Sequence, residues 1–168
     1  IVKFYKINPK KVIVMEHGVD IDIFKFEEKK IHSPFIIMYS GALVEAYDFK
    51  IILDAAKQLK HKNFQFVIRG KGLLLEELKK KKHELNLTNV SIDSTFIESE
   101  QLSSVLSTAD IFLVPMKDNH FVNLSLPTKI LEYQALGRPI ICLSNGAPGN
   151  YVQNTNSGLK IPSNNLSE

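Results

Sequence analysis

The stretch FIIMYSGALVEAYDFKIILDAAKQLKHKNFQFVIRG, residues 35–70, decides the fold. Its two ends, 35–41 and 64–70, are short apolar runs, which predict parallel strands covered by helices on both faces. Between them, Asp48 can cap an amphipathic helix that ends at about Lys60. The apolar side chains of that helix share one face: Ile52, Ala55, Ala56 and Leu59.

The same alternation of apolar runs and amphipathic segments continues before and after this unit. Further strands are predicted at 12–16, 90–92, 111–115 and 139–143. Further helices are predicted at about 74–86, from about 99, within 126–139 and after Pro148. This order predicts a doubly wound parallel α/β sheet of the Rossmann-like kind.

Sheets of this kind bind ligands beyond the carboxyl ends of their strands. The predicted ligand-facing loops are 40–47, 69–72, 93–98 and 116–128.

The bulk composition is that of one ordinary globular domain over residues 1–168. The single cysteine, Cys142, excludes an internal disulfide. A formal charge of +3 suits a phosphate-bearing ligand or an anionic membrane surface, but it is too small to argue for nucleic acid. Because the chain begins with Ile1 and ends in a polar loop, we expect an excised piece of a longer protein.

The stretch LPTKILEYQALGRP, residues 126–139, carries the strongest candidate site. Pro127 suits the first position of a helix, whose free N–H groups then form an anion site together with Thr128 and Lys129. Glu132 lies on the same face, about one turn further along. That offset suits phosphates at the helix tip and ribose hydroxyls at the carboxylate. From spacing alone, a capped surface helix with an ordinary Lys–Glu pair is slightly favoured, because such pairs are common.

Two glycine-containing turns are weaker candidates. In VIRGKG, residues 67–72, Arg69 and Lys71 could meet a diphosphate, and the glycines allow close approach of the backbone. A plain strand-to-helix turn with solvated charges is the alternative. Gly41, after the first strand, could leave room for a phosphate or serve only as a turn residue.

The spacing of the residues gives little support for a metal site or for a nucleophilic catalytic residue. No pair of histidines has the spacing of a metal site, and no nucleophile elbow is present. His17 and His120 could line a cleft, although surface positions are more common for histidine. The run KKKK, residues 79–82, indicates a solvated helix face, with contact to anionic lipid as the alternative.

Taken in order, eight segments resemble one known family. They are HGVDIDIF (17–24), YSGAL (39–43), LDAAKQL (53–59), FVIRGKG (66–72), the strand and turn at 89–96, ADIFLVP (109–115), LPTKILEYQALGRPII (126–141) and GL (158–159). This register resembles the C-terminal half of GT-B retaining glycosyltransferases of family 4. The most specific part is Pro-Thr-Lys-x-x-Glu-Tyr followed by Gly-Arg-Pro.

The resemblance implies a Rossmann-like domain that binds a nucleotide-diphosphate sugar. It also implies that residues 1–168 lack the N-terminal acceptor domain and the final helices of a two-domain enzyme. It implies that Glu132 binds ribose hydroxyls, that Lys129 and the helix tip stabilise the leaving diphosphate, and that Gly41 lies at the first phosphate loop. Ser94 and Phe96 would lie against the base. No metal or other cofactor is expected, and the location would be cytoplasmic, with peripheral contact at the inner face of the cell membrane.

The chain departs from the family pattern at three positions. Ala42 and Asp48 stand where an arginine and a lysine are usual, and Leu124 stands where a first glutamate is usual. Arg69 or Lys71 could compensate for the missing cations. The departures keep two alternatives open: a degenerate nucleotide-binding module without catalysis, and a nucleotide-sugar epimerase of the same architecture.

Overall fold

The computed structural model describes residues 2–13, 15, 17–28 and 33–163. Its helices are α1 (Val2–Tyr5), α2 (Phe49–Gln58), α3 (Leu75–Glu84), α4 (Ser99–Leu106), α5 (His120–Leu124), α6 (Thr128–Ala135) and α7 (Ala147–Asn154), with a 3₁₀ turn at Pro9–Lys11. Its strands are β1 (Phe35–Ser40), β2 (Phe64–Arg69), β3 (Val90–Asp93), β4 (Ile111–Pro115), β5 (Ile140–Leu143) and β6 (Gly158–Ile161).

The predicted doubly wound parallel sheet is confirmed. The six strands lie in the order β3-β2-β1-β4-β5-β6, and every neighbouring pair is parallel. The strand order reverses between β1 and β4, so the chain leaves these two carboxyl ends in opposite directions. A crevice opens at such a switch point and is the expected ligand site of the fold.

The core lies between the sheet and its helices because the central strands are apolar on both faces. The face of α2 that was predicted to be apolar does point toward the core. Ile52 and Ala56 are buried, and Ala55 and Leu59 are partly buried against the core. Asp48 caps α2 as predicted, since its carboxylate accepts a hydrogen bond from the N–H of Lys50 at 3.1 Å.

Several local predictions need correction. Within 12–16, Val12, Ile13 and Met15 are exposed and lie in no strand, because strand propensity forms no sheet without a partner to pair with; the other two residues of that run lie outside the described part. Pro127 is not the first helical residue. Its ψ of 133° is extended, so it precedes α6 as the N-cap.

Besides α1 and the 3₁₀ turn near the start, two elements of the sheet region have no counterpart in the sequence prediction. β6 has four residues and exists through pairing with β5, and α5 is a single capped turn in the segment expected to be a loop. Both are too short for hydrophobic periodicity to reveal them. α5 nevertheless brings its residues to the edge of the sheet that the switch point opens.

The loops after β1 and β2 lie in unusually close contact. The N–H of Gly41 donates to Arg69 O at 2.9 Å, and the N–H of Leu43 donates to Lys71 O at 2.8 Å. Gly70 has φ +145°, and a Cβ there would stand 1.8 Å from the carbonyl oxygen of Gly41. Position 70 therefore requires glycine for two reasons, the backbone angle and the space.

We expect Gly70→Ala to lower the free energy of unfolding by more than about 2 kcal/mol, since the added methyl group displaces the Gly41 loop and strains the backbone. Urea unfolding at fixed temperature measures the change. Gly18→Ala is the matched control, because Gly18 lacks a positive φ and its Cβ would meet no atom within 4 Å. Equal stability of the two variants would contradict the packing argument.

Candidate functional site

A cavity of about 650 Å³ lies at the switch point between β1 and β4. Three parts of the chain form it: the loop after β1, the segment from the end of β4 through α5, and the first turn of α6, with one residue of α4 at the side. Its lining is Ser40, Gly41, Ala42, Ala46, Tyr47, Leu102, Met116, Phe121, Val122, Ser125, Pro127, Thr128, Lys129 and Glu132. The structure thus brings together four residues predicted from the sequence: Gly41, Thr128, Lys129 and Glu132.

The first turn of α6 supplies donors to this cavity. The backbone N–H groups of Thr128 and Lys129 have no intrahelical acceptor, because the helix begins at Thr128. Thr128 is exposed, so its hydroxyl and backbone are accessible from the cavity. Aligned N–H groups at a helix start favour an anion. The predicted free N–H groups are therefore present, in a helix that starts one residue later than expected, and anion binding there stays a prediction.

Lys129 occupies a buried position that spacing could not reveal. The residue is only 8% exposed, and its Nζ donates a hydrogen bond to the Tyr39 hydroxyl at 2.7 Å. The same Nζ lies 4.1 Å from the ring centroid of Tyr39 and 4.0 Å from that of Tyr47. The rings stabilise the charged amine, but burial dominates and lowers its pKa to about 7, opposed by the charge of Glu132.

Gly41 determines whether a ligand can reach that amine. Its φ is +146°, and a Cβ built there would lie 2.4 Å from Nζ of Lys129 and 2.8 Å from Cε. Any side chain at this position would displace the lysine head. The glycine therefore leaves a window between the cavity and a cation that is otherwise covered by aromatic rings.

Glu132 lines the same cavity one turn deeper and is half-buried. Burial raises the pKa of its carboxyl group, and the charge of Lys129 acts in the opposite direction. A partly desolvated carboxylate is a strong acceptor for hydroxyl donors such as those of a ribose. The two α6 side chains thus present a cation and an acceptor to one cavity.

Tyr133 is a site residue that the reasoning from sequence did not single out. Its hydroxyl accepts a hydrogen bond from Ser40 N at 3.0 Å and donates one to Ser40 O at 2.8 Å. Its ring stacks on Phe112 at a centroid distance of 3.7 Å. Tyr133 and Lys129 are four residues apart and share one helix face, a spacing that could have indicated a common buried side. Tyr133 fixes α6 against the end of β1.

The other predicted contacts lie outside the cavity lining. Arg69 is 4% exposed, and its guanidinium pairs with the Asp93 carboxylate and donates to Thr95 O at 2.7 Å. Lys71 is exposed, with Nζ 5.7 Å from the ring centroid of Phe96. Ser94, half-buried, belongs to the same turn as Phe96. These residues form a second group, beyond β2 and β3.

The three departures from the family pattern have distinct surroundings. Ala42 is exposed at the cavity, so no cation stands there. Asp48 serves as the cap of α2. Leu124 lines a neighbouring, smaller pocket of about 280 Å³ that also includes His17. His120 is exposed beside the ring of Phe121.

A larger cavity, of about 710 Å³, lies at the opposite edge of the sheet, where β5 and β6 begin. The one charged side chain in its lining, Arg138, is buried and already donates to the carbonyl groups of Ala109 and Glu27, at 3.1 and 2.9 Å. Arg138 thus ties the segment before β1 to the end of α4. We place the functional site at the switch point because charged groups converge there.

Neither a metal centre nor a membrane-spanning helix is found among the described residues. They contain no cluster of three or more His, Cys, Asp or Glu side chains that could hold a metal ion. Among the same residues, no helix has the length and apolar character needed to cross a membrane. In the lysine run of α3, three of the four lysines pair with Glu76, Glu77 or Glu84 one turn away, as a solvated helix face would.

Comparisons with known proteins agree on the class of the fold. The chain is 27% identical over 165 residues to chitobiosyldiphosphodolichol beta-mannosyltransferase of Candida albicans, covering 94% of this chain and 34% of that protein. The glycosyltransferase WaaG, involved in lipopolysaccharide biosynthesis, superposes with a TM-score of 0.74 at 15% identity, covering 98% and 48% of the two chains. S. aureus TarM superposes with a TM-score of 0.73 at 14% identity, covering 97% and 32%.

These likenesses define a Rossmann-like domain of the kind found in GT-B glycosyltransferases. The family model described as "Glycosyl transferases group 1" matches residues 20–168, and the chain belongs to that family. The resemblance inferred from the motifs is confirmed at this level. The chain spans about a third of the length of the Candida relative and under half that of WaaG.

We expect Lys129→Met to raise the free energy of unfolding at pH 7 by about 1–4 kcal/mol, because it removes a buried charge and keeps the volume. The stability advantage of Lys129→Met over the wild type should become smaller as the pH rises toward about 10. The unfolded chain holds the lysine proton to near 10.5 and the folded protein only to about 7. Between these values the unfolded state binds more protons, so the wild type becomes more stable as pH rises.

Urea unfolding of both proteins at several pH values measures this difference. Lys57→Met is the matched control, since Lys57 is exposed at the end of α2 and its removal should change stability by less than about 0.5 kcal/mol at every pH. A destabilised Lys129→Met protein, or a difference independent of pH, would show that the amine is not desolvated as described.

Proposed function

We propose that this chain is the donor-binding domain of a retaining glycosyltransferase of family 4, which takes a nucleotide-diphosphate sugar. The observation that carries the proposal is the convergence of Lys129, Glu132 and the window at Gly41 in one cavity at the switch point. A capped surface helix would leave Lys129 solvated and paired with Glu132. A buried lysine with its head beneath a glycine is costly to keep and favours a functional role.

The donor would lie along α6. Its diphosphate oxygens accept hydrogen bonds from the free N–H groups of Thr128 and Lys129, and Nζ of Lys129 meets them through the Gly41 window. The ribose hydroxyls donate to Glu132, one turn deeper. In this proposal one cation and several backbone donors hold the diphosphate, and no metal ion takes part.

In the transfer itself, the bond between the sugar's anomeric carbon and the β-phosphate oxygen breaks. Its electron pair stays on the leaving diphosphate, while the acceptor oxygen bonds to the same carbon and loses its proton. Negative charge therefore grows where Lys129 and the α6 N–H groups point. Preorganised donors at such a place can each contribute a few kcal/mol to the lowering of the barrier.

The acceptor would bind through a further domain of the longer protein, so we expect the isolated chain to bind donor without turnover. The solved structure of TarM contains UDP, and WaaG acts in lipopolysaccharide biosynthesis. These likenesses support a UDP- or GDP-linked sugar and a role in cell-envelope polysaccharide or glycolipid synthesis. Such a role fits a cytoplasmic protein in peripheral contact with the membrane.

A degenerate nucleotide-binding module is the second candidate. It is favoured by Ala42, which brings no cation to the cavity, and by Leu124, which faces another pocket. Both candidates bind a nucleotide, but only the enzyme transfers sugar. Incubating the full-length protein with donor sugars and candidate acceptors separates them, since a module would release no nucleoside diphosphate.

Two α6 substitutions should affect different parts of the ligand. We expect Glu132→Gln to weaken UDP, GDP or ADP binding about tenfold and to change inorganic pyrophosphate binding much less, because it removes the ribose acceptor and reaches the phosphates only through the charge that Glu132 exerts on Lys129. Lys129→Met should weaken both nucleotide and pyrophosphate by at least about tenfold. Isothermal titration calorimetry at pH 6.5 measures the dissociation constants, with Lys129 largely charged.

Glu84→Gln, an exposed substitution on α3, is the matched control and should bind all four ligands as the wild type does. The site assignment fails if no nucleotide binds at millimolar concentration. It also fails if Glu132→Gln weakens pyrophosphate as much as nucleotide, since the carboxylate would then act on the phosphates or on the fold.

A further inference from the structure

Tyr39 brings a polar group to the switch-point cavity from within the sheet. It is fully buried in β1, one residue before the strand ends at Ser40. Its ring packs edge-on against those of Tyr47 and Phe49, with centroid distances of 5.2 and 4.9 Å. Buried edge-to-face contacts of this kind favour one orientation of the ring. The hydroxyl group of Tyr39 therefore has a fixed place.

That hydroxyl group has two partners, which belong to different parts of the site. It donates its single hydrogen to the carbonyl oxygen of Ala42 at 2.6 Å, and it accepts a hydrogen bond from Nζ of Lys129 at 2.7 Å. Because the hydrogen is directed at Ala42, the oxygen lone pairs are left for the amine, and an ammonium group can only donate. A Cβ at Gly41 would lie 3.4 Å from the same hydroxyl oxygen. Tyr39 thus holds both the loop that forms the Gly41 window and the amine behind it.

Tyr39 holds the amine of Lys129 without neutralising it. Burial raises the pKa of the Tyr39 hydroxyl group well above its ordinary value, so the group stays uncharged. Glu132 contributes a carboxylate charge nearby, but the hydrogen bond of the amine goes to the hydroxyl group. An uncharged partner leaves the positive charge of the ammonium available to an anion at the window.

The head of Lys129 needs such a partner because its stem is flexible. The four-carbon stem would otherwise let the amine turn toward Glu132, three residues further along the same helix face. Donors that already stand where charge develops are more effective than donors that must first reorganise. Tyr133 fixes the position of α6, whereas Tyr39 fixes the head of one side chain on that helix.

We infer that Tyr39 is a positioning residue, whose hydroxyl group holds the Lys129 amine and the Gly41 loop so that the cation faces the diphosphate of the bound donor. The inference rests on the proposed function and adds to it a residue outside the cavity lining. The hydroxyl oxygen carries this role, and the ring serves to fix the hydroxyl in place.

The first test measures the Lys129 amine without ligand. The titratable groups that face it are Tyr39 from β1, Tyr47 from the following loop and Glu132 from α6. Burial lowers the pKa of the amine to about 7 in the wild type. Tyr39→Phe keeps the ring and removes an acceptor that favours the charged form, so the pKa should fall by about one further unit.

NMR titration of protein labelled with ¹³C at the lysine Cε atoms measures this pKa. The Lys129 signal is the one that is absent from Lys129→Met. Glu132 and Tyr47 are present in both the wild type and Tyr39→Phe, so the difference between the two titrations reports the hydroxyl group. A pKa in Tyr39→Phe equal to or above that of the wild type would overturn the inference.

The second test is a double-mutant cycle on ligand binding. UDP and inorganic pyrophosphate are titrated calorimetrically into the wild type, Tyr39→Phe, Lys129→Met and the double variant. Tyr39→Phe should weaken both ligands by about fivefold to tenfold, because both contain the diphosphate that Lys129 meets. In the Lys129→Met background the same substitution should change binding by less than about twofold, because the amine that it positions is already absent.

UDP would keep its contacts with Glu132 and the α6 N–H groups in the Lys129→Met background, so both halves of the cycle can be measured. Tyr151→Phe is the matched control and should bind both ligands as the wild type does. Tyr151 is a partly buried tyrosine of α7 that lines the smaller neighbouring pocket. Far-UV circular dichroism of each variant shows whether it is folded.

Two results of the cycle would overturn the inference and leave the proposed function standing. One is an equal loss of binding on Tyr39→Phe in both backgrounds, which would indicate a general structural role. The other is a loss for UDP without a loss for pyrophosphate, or no loss at all, since the hydroxyl group would then not act on the diphosphate contact. If the wild type binds neither ligand at millimolar concentration, the proposed function fails and the inference fails with it.

Discussion

The double hydrogen bond between the Tyr133 hydroxyl and the backbone of Ser40 is the constraint on which the site depends. Ser40 ends β1, on one side of the switch point, and Tyr133 belongs to the helix that follows β4, on the other side. Because one hydroxyl satisfies both polar groups of Ser40, α6 cannot slide or rotate without breaking two partly buried bonds. That fixed orientation turns Lys129 inward and its free N–H groups toward the crevice.

The burial of Lys129 is unfavourable for the stability of the folded protein, and the proposed contact with a diphosphate would account for it. The amine lies between two tyrosine rings, has one hydrogen bond to a hydroxyl, and faces a carboxylate that is itself half-buried. Desolvation in these surroundings is unfavourable for the charged form, as the lowered pKa indicates. In the proposed complex, an anionic ligand at the Gly41 window would add a second counter-charge to that of Glu132.

The edge of the sheet where the strands end has two halves that differ in whether their charged groups face a cavity or pair with each other. Toward β4 and α6, donors and one cation converge on a cavity with space for phosphates. Toward β2 and β3, Arg69 and Asp93 pair with each other and hydrogen-bond the backbone of Thr95. The glycines at 41 and 70 join the halves, because only residues without Cβ let the two loops approach so closely. A cation at the ligand-facing edge of the sheet is thus not by itself a ligand contact, since its partner decides what it does.

Much of the fold could be predicted because it depends on local sequence. Strands buried on both faces must be apolar runs, and helices that cover them must be amphipathic, so the order β1 to β5 and the helices α2, α3, α4, α6 and α7 follow from periodicity. The sequence also placed Gly41, Thr128, Lys129 and Glu132 at one edge of the sheet, because parallel strands end there. The short elements α1, α5 and β6 were missed, since four or five residues carry too little pattern.

What the sequence by itself determined is therefore the class of fold, its ligand-facing edge and the residues of the α6 tip. Only the tertiary structure decided which charges meet. Arg69 and Asp93 are 24 residues apart, and Lys129 and Tyr39 are 90 apart. Whether such groups pair, and whether an amine is solvated or buried, depends on strand register and on packing across the switch point. Those are properties of the assembled sheet, which no local pattern encodes.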